Sequence, residues 1–220
     1  MKKAFLFFAL FLGMLPSFAQ SDKYLKAMQE KVAAVDTLFN AEALRDLSAS
    51  FERIADAEKT QWQPYYYAAL AQVNAGNLIF VKNQGNPAEL QKLDLMADKA
   101  EQLVGKAEAL SQNNSEIYPV KKMVASLRMM VDPSTRYMQY GPLAQQALET
   151  AKKLNPDNPR VYLLEGQDKF FTPEQYGGSK EEAKKLFEEA LKKYEAFKPA
   201  SAIDPNWGRG TAQYFLSQVQ

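Results

Sequence analysis

The sequence contains no cysteine and no histidine, and the two gaps together remove most of the chemistry by which a chain of this size becomes an enzyme. Without histidine there is no Ser/His/Asp or Cys/His nucleophile, no imidazole metal ligand and no side chain whose ordinary pKa lies near neutrality. Without cysteine there is no disulfide, no thiolate nucleophile and no Cys-held zinc or iron–sulfur site. Carboxylates, lysines and tyrosines remain, but no H-E-x-x-H pair and no Asp/Asn-rich calcium loop is present, and Trp207-Gly208-Arg209-Gly210 lacks both the glycine spacing and the lysine of a phosphate loop. Glu181 and Glu182 are sequence neighbours that diverge on a helix and make no acid/base dyad. The expectation is a protein that is not an enzyme and that uses no cofactor and no metal.

Glycine and proline are also scarce, 10 and 11 in 220 residues, too few for an all-β chain with many tight turns. Long apolar runs are missing apart from the N-terminus, where Lys2 and Lys3 precede an apolar stretch from Ala4 to Leu15, a breaker at Pro16 and small residues Ser17 and Ala19. That is the layout of a secretory signal peptide over residues 1–19, with cleavage after Ala19; the stretch is well short of the roughly 20 residues that span a bilayer. Residues 20–220 then form a single domain, expected to be periplasmic or secreted. A lipid anchor would need cysteine as the first mature residue, and here it is Gln20. The 27 basic and 26 acidic residues leave a mature chain close to neutrality once Lys2 and Lys3 are removed, which disfavours nucleic acid or an anionic membrane as partner.

Apolar residues recur at helical spacing: Leu44, Leu47, Phe51, Ile54 and Ala55 share one face, as do Ala97, Ala100, Val104, Ala107 and Leu110, and Leu143, Ala147, Leu148, Ala151 and Leu154. Breakers at Gly76-Asn77, Asn83 to Pro87, Asn113-Asn114, Asp132-Pro133, Asn155 to Pro159, Gly177-Gly178 and Pro199 to Pro205 divide the chain into eight or nine helices with no convincing strand. The fold expected is all-α. Ser179 followed by Glu182 is a capping box that opens a helix whose stripe is Ala183, Leu186, Phe187, Ala190, Leu191 and Tyr194.

Self-similarity adds an architecture. Phe51 to Tyr65, Val104 to Tyr118 and Leu148 to Tyr162 are each 14 residues apart, with a bulky residue late in one helix and a tyrosine opening the next. Ala144-x3-Leu148, Ala151, Leu154 and Pro156, followed by Tyr162-x3-Gly166, resemble the second helix and turn of one tetratricopeptide repeat and the start of another. Glu165, Lys169 and Lys122 depart from that pattern, and the spacing between copies is irregular. The resemblance covers about residues 42–214 and implies a TPR-like α-solenoid of stacked helical hairpins. The segment from Thr172 to Ser179 resembles a loop inserted in exported bacterial members of this class, including the helical T component of tripartite periplasmic transporters.

In such arrays the first helix of each hairpin lines the concave face. With first helices expected at Trp62 to Ala75, Ser115 to Met130 and Pro159 to Phe171, the helical period turns Tyr66 and Asn74, Met123 and Leu127, and Leu163, Gln167, Phe170 and Phe171 inward. An apolar, aromatic groove of this kind suits a peptide or an amphipathic helix of a protein partner. These side chains are equally the kind that fill a core, and either an N-terminal helix at Tyr24 to Phe39 or the C-terminal helix is able to cover them. Tyr65, Tyr66 and Tyr67 cannot all point one way on a helix, so at least one is expected to meet solvent or ligand. Arg128 and Arg136 could bind a carboxylate or phosphate, but the expectation favoured is that they pair with Asp132; Trp207 is expected to dock the last helix. The first functional reading is a protein-interaction module or scaffold; the alternative, which the T-component resemblance implies, is a carrier of a small hydrophobic molecule.

Overall fold

The computed structural model describes residues 22–83 and 86–219; the expected signal peptide, residues 1–19, lies outside the described residues. The chain is all-α, as its periodicity predicts. In order it forms α1 (Asp22–Val32), a 3-10 turn (Ala33–Asp36), α2 (Ala41–Glu58), α3 (Trp62–Lys82), the single turn α4 (Pro87–Leu90), α5 (Lys92–Leu110), α6 (Ile117–Val131), α7 (Pro133–Leu154), α8 (Pro159–Phe171), a second 3-10 turn (Glu174–Tyr176), α9 (Lys180–Ala196) and α10 (Arg209–Ser217). Among the described residues there is no strand.

Local chemistry sets the ends. The Asn40 side chain accepts from the Ala43 amide at 2.9 Å, Asn158 from Arg160 at 3.0 Å and Ser179 from Glu182 at 3.1 Å, each satisfying a donor that the first helical turn leaves open. Pro133 and Pro159 occupy first helical positions, where the missing N–H costs nothing. The predicted break at Gly76-Asn77 does not occur. Both residues lie inside α3, and a Cβ on Gly76 would stand 2.7 Å from Leu127, so the glycine serves close packing of α6 on α3.

Neighbouring helices stack as antiparallel hairpins: α3 packs on α2 and α5, α6 on α5 and α7, and α8 on α9, while α3 touches α6 and α6 touches α8. With one antiparallel helix between each pair, α3, α6 and α8 run in the same direction and their C-terminal ends share one edge. The core runs along α3, where Tyr65, Tyr66 and Tyr67 are all buried. This corrects the expectation that one of them meets solvent or ligand. Phe51 of α2 stacks on Tyr67 with ring centres 5.4 Å apart, and Tyr66 stands edge-on to both Trp62 and Tyr67. Over residues 63–71 every side of α3 is buried, and the sequence accordingly shows no polar stripe there.

A strap formed by residues 197–208 crosses this stack and ties the two ends of the chain together. Trp207 donates its indole N–H to the Tyr66 hydroxyl at 2.7 Å, Gln63 donates to Asp204 at 3.2 Å, Tyr194 donates to the Trp207 carbonyl at 2.9 Å, and the Gly208 amide donates to Asp36 at 3.3 Å. Gly208 has φ 99°, a left-handed geometry natural to glycine, and a Cβ there would meet the Tyr194 hydroxyl at 2.4 Å. The docking role expected of Trp207 is what the structure shows.

Candidate functional site

The expected concave groove is largely filled by the protein itself. Tyr66, Leu127 and Leu163 are core residues with no more than 1% of their surface exposed. The strap covers Tyr66 through Trp207, Gly208 sits against Leu163, and Leu127 is closed off by Gly76 of α3. Asn74 donates to the Val35 carbonyl at 3.3 Å and so is engaged by the first 3-10 turn. Met123 is half-buried and packs against both the main core and the smaller cluster of Leu148, Ala151, Val161 and Leu164. As lining of an open groove Tyr66, Leu127 and Leu163 are corrected, while Asn74 and Met123 are half-buried within the packing. Gln167 is half-buried, and Phe170 and Phe171 are the members that reach an accessible surface.

Those last two residues end α8 and belong to a cluster that the linear sequence does not show. Phe170 and Phe171 lie edge-on with centres 5.0 Å apart, and Phe215 of α10 stands 5.3 Å from the first and 5.4 Å from the second. Phe187 of α9 stacks on Phe215 at 5.6 Å from below, and Tyr214 adjoins Phe215 at 5.3 Å. The base of the cluster is fixed by Gly166, where a Cβ would come within 2.6 Å of the Phe187 ring. The outer members are open: Phe171 is 66% exposed and Tyr214 60%. Stacked and edge-to-face contacts, the arrangements aromatic pairs prefer, join these five rings into one aromatic platform. Contiguous exposed rings of this kind make the platform the candidate binding surface.

Two lysines border the platform. Lys169 pairs with Glu182 and donates to the Gly177 carbonyl. Lys180 donates to the Phe170 carbonyl at 2.9 Å and sets its ammonium over the Phe170 ring, 3.0 Å from the centre. The intervening loop is pinned by the Ser179 amide donating to the Lys169 carbonyl at 3.0 Å.

At the opposite end of the stack lies a second gathering of rings and charge. Arg160 is fully buried and 3.1 Å from Glu116, it donates to the Pro205 carbonyl, and Tyr194, Phe197 and Trp207 surround its guanidinium at 4.8 to 5.9 Å. Burial pushes the Tyr66, Tyr67 and Tyr194 phenols well above their ordinary range against the opposing pull of Arg160, and it raises the Glu116 carboxyl for the same reason. The cleft above this clamp, lined by Trp62, Glu116, Phe197, Asp204 and Pro205, encloses about 280 Å³, at the low limit of small-molecule sites. Arg128 and Arg136 do not pair with Asp132 as expected. Arg136 holds Asp94 in a two-pronged contact at 2.6 and 2.9 Å, Arg128 holds Asp98 and Glu101, and Asp132 caps α7. Among the described residues no group of acidic side chains could hold a metal ion, and no helix is long and apolar enough to cross a membrane.

No family model and no curated protein matches the sequence. Among solved structures the chain is similar to the HusA haemophore from Porphyromonas gingivalis, at 34% identity over 91% of this chain and 94% of that chain, with a TM-score of 0.76. The chain belongs to the HusA family. That relative is by its description a binding protein, and its all-α fold is shared along nearly its whole length. Sequence reading picked out Phe170 and Phe171 but missed Tyr214, Phe215 and Lys180. The available signal was a pair of aromatic doublets, Phe170-Phe171 and Tyr214-Phe215, on separate short helices.

Proposed function

We propose that the protein is an exported carrier of a small, flat, hydrophobic ligand of the haem class, built on a tetratricopeptide-like array and holding that ligand against the Phe170, Phe171, Tyr214 and Phe215 platform. The observation that carries this reading is the 34% identity to a haemophore across 91% of the chain. It favours the small-molecule carrier over the protein-interaction module, and the filled concave face points the same way. Planar aromatic ligands gain most from stacking on exposed rings and from the apolar area they remove from water. With no histidine or cysteine in the chain, ring stacking is the principal source of affinity in this proposal, and any contact to iron falls to an oxygen, thioether or amine ligand. Export follows from the signal layout of residues 1–19.

Titration of the purified mature chain with haemin, followed by the haem absorbance band, tests the reading. A saturable change at one ligand per chain, weakened about tenfold or more when Phe171 and Tyr214 are both replaced by alanine, is the expected result. Linear, non-saturating absorbance at micromolar haemin overturns it. Recovery of a protein partner from the periplasm by a chain that takes up no haemin would restore the interaction-module reading.

A further inference from the structure

Lys180 is a cation in an unusual position. It is the first residue of α9, and a helix N-terminus attracts anions and repels cations. The next two residues follow that rule, yet neither neutralises it: Glu181 is engaged by Lys185 at 2.6 Å and Glu182 by Lys169 at 2.5 Å. Among the described residues no carboxylate lies within ion-pair distance of Lys180. Its ammonium is satisfied by one carbonyl and one ring face, both belonging to Phe170, and the side chain is exposed at the edge of the platform. A cation placed against the local rule and given no counter-charge inside the fold points to a residue kept for something outside it.

We infer that Lys180 is a specificity residue for a carboxylate on the ligand: the platform takes the flat apolar body, and the ammonium at its edge pairs with an acid group carried at the ligand's rim. The inference rests on the carrier reading and narrows it, because it requires the ligand to be a planar ring system bearing at least one carboxylate rather than any flat hydrophobe. Lysine is suited to the task. Its four-carbon stem lets the ammonium leave the Phe170 face and reach an anion without moving the backbone, and a charge-assisted hydrogen bond beside apolar surface is stronger than one in open water. Unlike Lys169, which already holds a carboxylate, Lys180 breaks no ion pair on doing so.

The test compares two iron-free probes, protoporphyrin IX and its dimethyl ester, whose flat bodies are alike and whose carboxylates are free in one and blocked in the other. Affinities are read by fluorescence titration for the wild-type chain, Lys180→Met, Lys180→Arg and Phe171→Ala, with helical content checked by circular dichroism. Lys180→Met should weaken the acid about tenfold and the ester less than about twofold, and Lys180→Arg should restore most of the loss. Phe171→Ala should weaken both probes alike. Equal losses for acid and ester in Lys180→Met, or no loss for either, overturn the role of Lys180 while leaving the carrier reading intact if Phe171→Ala still weakens binding. A wild-type chain that binds neither probe overturns both.

Discussion

Two places in this molecule set a cation among aromatic rings, and they are built in opposite senses. At the N-terminal ends of α6 and α8, Arg160 is ringed by Tyr194, Phe197 and Trp207, paired with Glu116 and sealed from water. At the C-terminal end of α8, Lys180 lies on Phe170 with no carboxylate, beside rings that face solvent. The ingredients are alike and the accounting differs. In the clamp the charge and most polar atoms find their partners within the chain, so the rings do structural work. On the platform the cation has a carbonyl and a ring face but no counter-charge, and the outer rings face solvent. Composition alone does not separate the two cases; burial and the presence of a counter-charge do.

That contrast is open to attack, and the largest effect should come from the clamp. Glu116→Gln or Arg160→Met leaves a buried charge without its counterpart and should cost about 3–5 kcal/mol in urea unfolding, whereas Glu116→Leu combined with Arg160→Met should recover most of the loss. Next comes alkaline pH. Tyr66, Tyr67 and Tyr194 hold their protons more tightly when folded than the ordinary value of 10 for the free side chain. Their stabilising effect is therefore complete below that value and lost as pH rises above it, by about 1.4 kcal/mol per pH unit for each tyrosine. Tyrosinate absorbance and loss of helicity should then appear together. Smaller again, Gly166→Ala forces a methyl group against the Phe187 ring, which is hemmed in by Phe170 and Phe215, and should destabilise by about 1–3 kcal/mol. The smallest stability effect belongs to the platform. Phe171→Ala should cost less than about 1 kcal/mol, since the ring is already mostly in water, yet it should carry the largest loss of haemin binding of these substitutions. A chain that unfolds on Phe171→Ala would erase the distinction between the two regions.

How much of this is legible in sequence follows from the range of the interactions involved. Helix starts at Ser179 and Pro159 and the break at Asp132-Pro133 are set by residues a few positions apart, and they read correctly. The fate of Gly76 is decided by Leu127 on another helix, so a glycine that looks like a breaker is a packing site. Leu110, Leu143 and Leu154 fit a core stripe by period, yet they are 37–51% exposed because their helices have a neighbour on only part of that face. Tyr66 and Leu163 are covered by Trp207 and Gly208 of the strap, 141 and 45 residues away in the chain. The platform needs Phe215 to meet Phe170, a pairing no local pattern encodes, and this is why half of the site was readable and the other half was not.

The hydrogen bond from Gly208 to Asp36 joins residues 172 positions apart in sequence. An open stack of hairpins is stabilised neighbour by neighbour and can melt from one end; a stack fastened first to last is a closed loop, in which fraying at either terminus loosens the other. Unfolding should accordingly be a single concerted event. Because α10 follows that fastening and carries Phe215 to Phe170 and Phe171, a chain clipped before the strap would lose the aromatic platform along with the fastening.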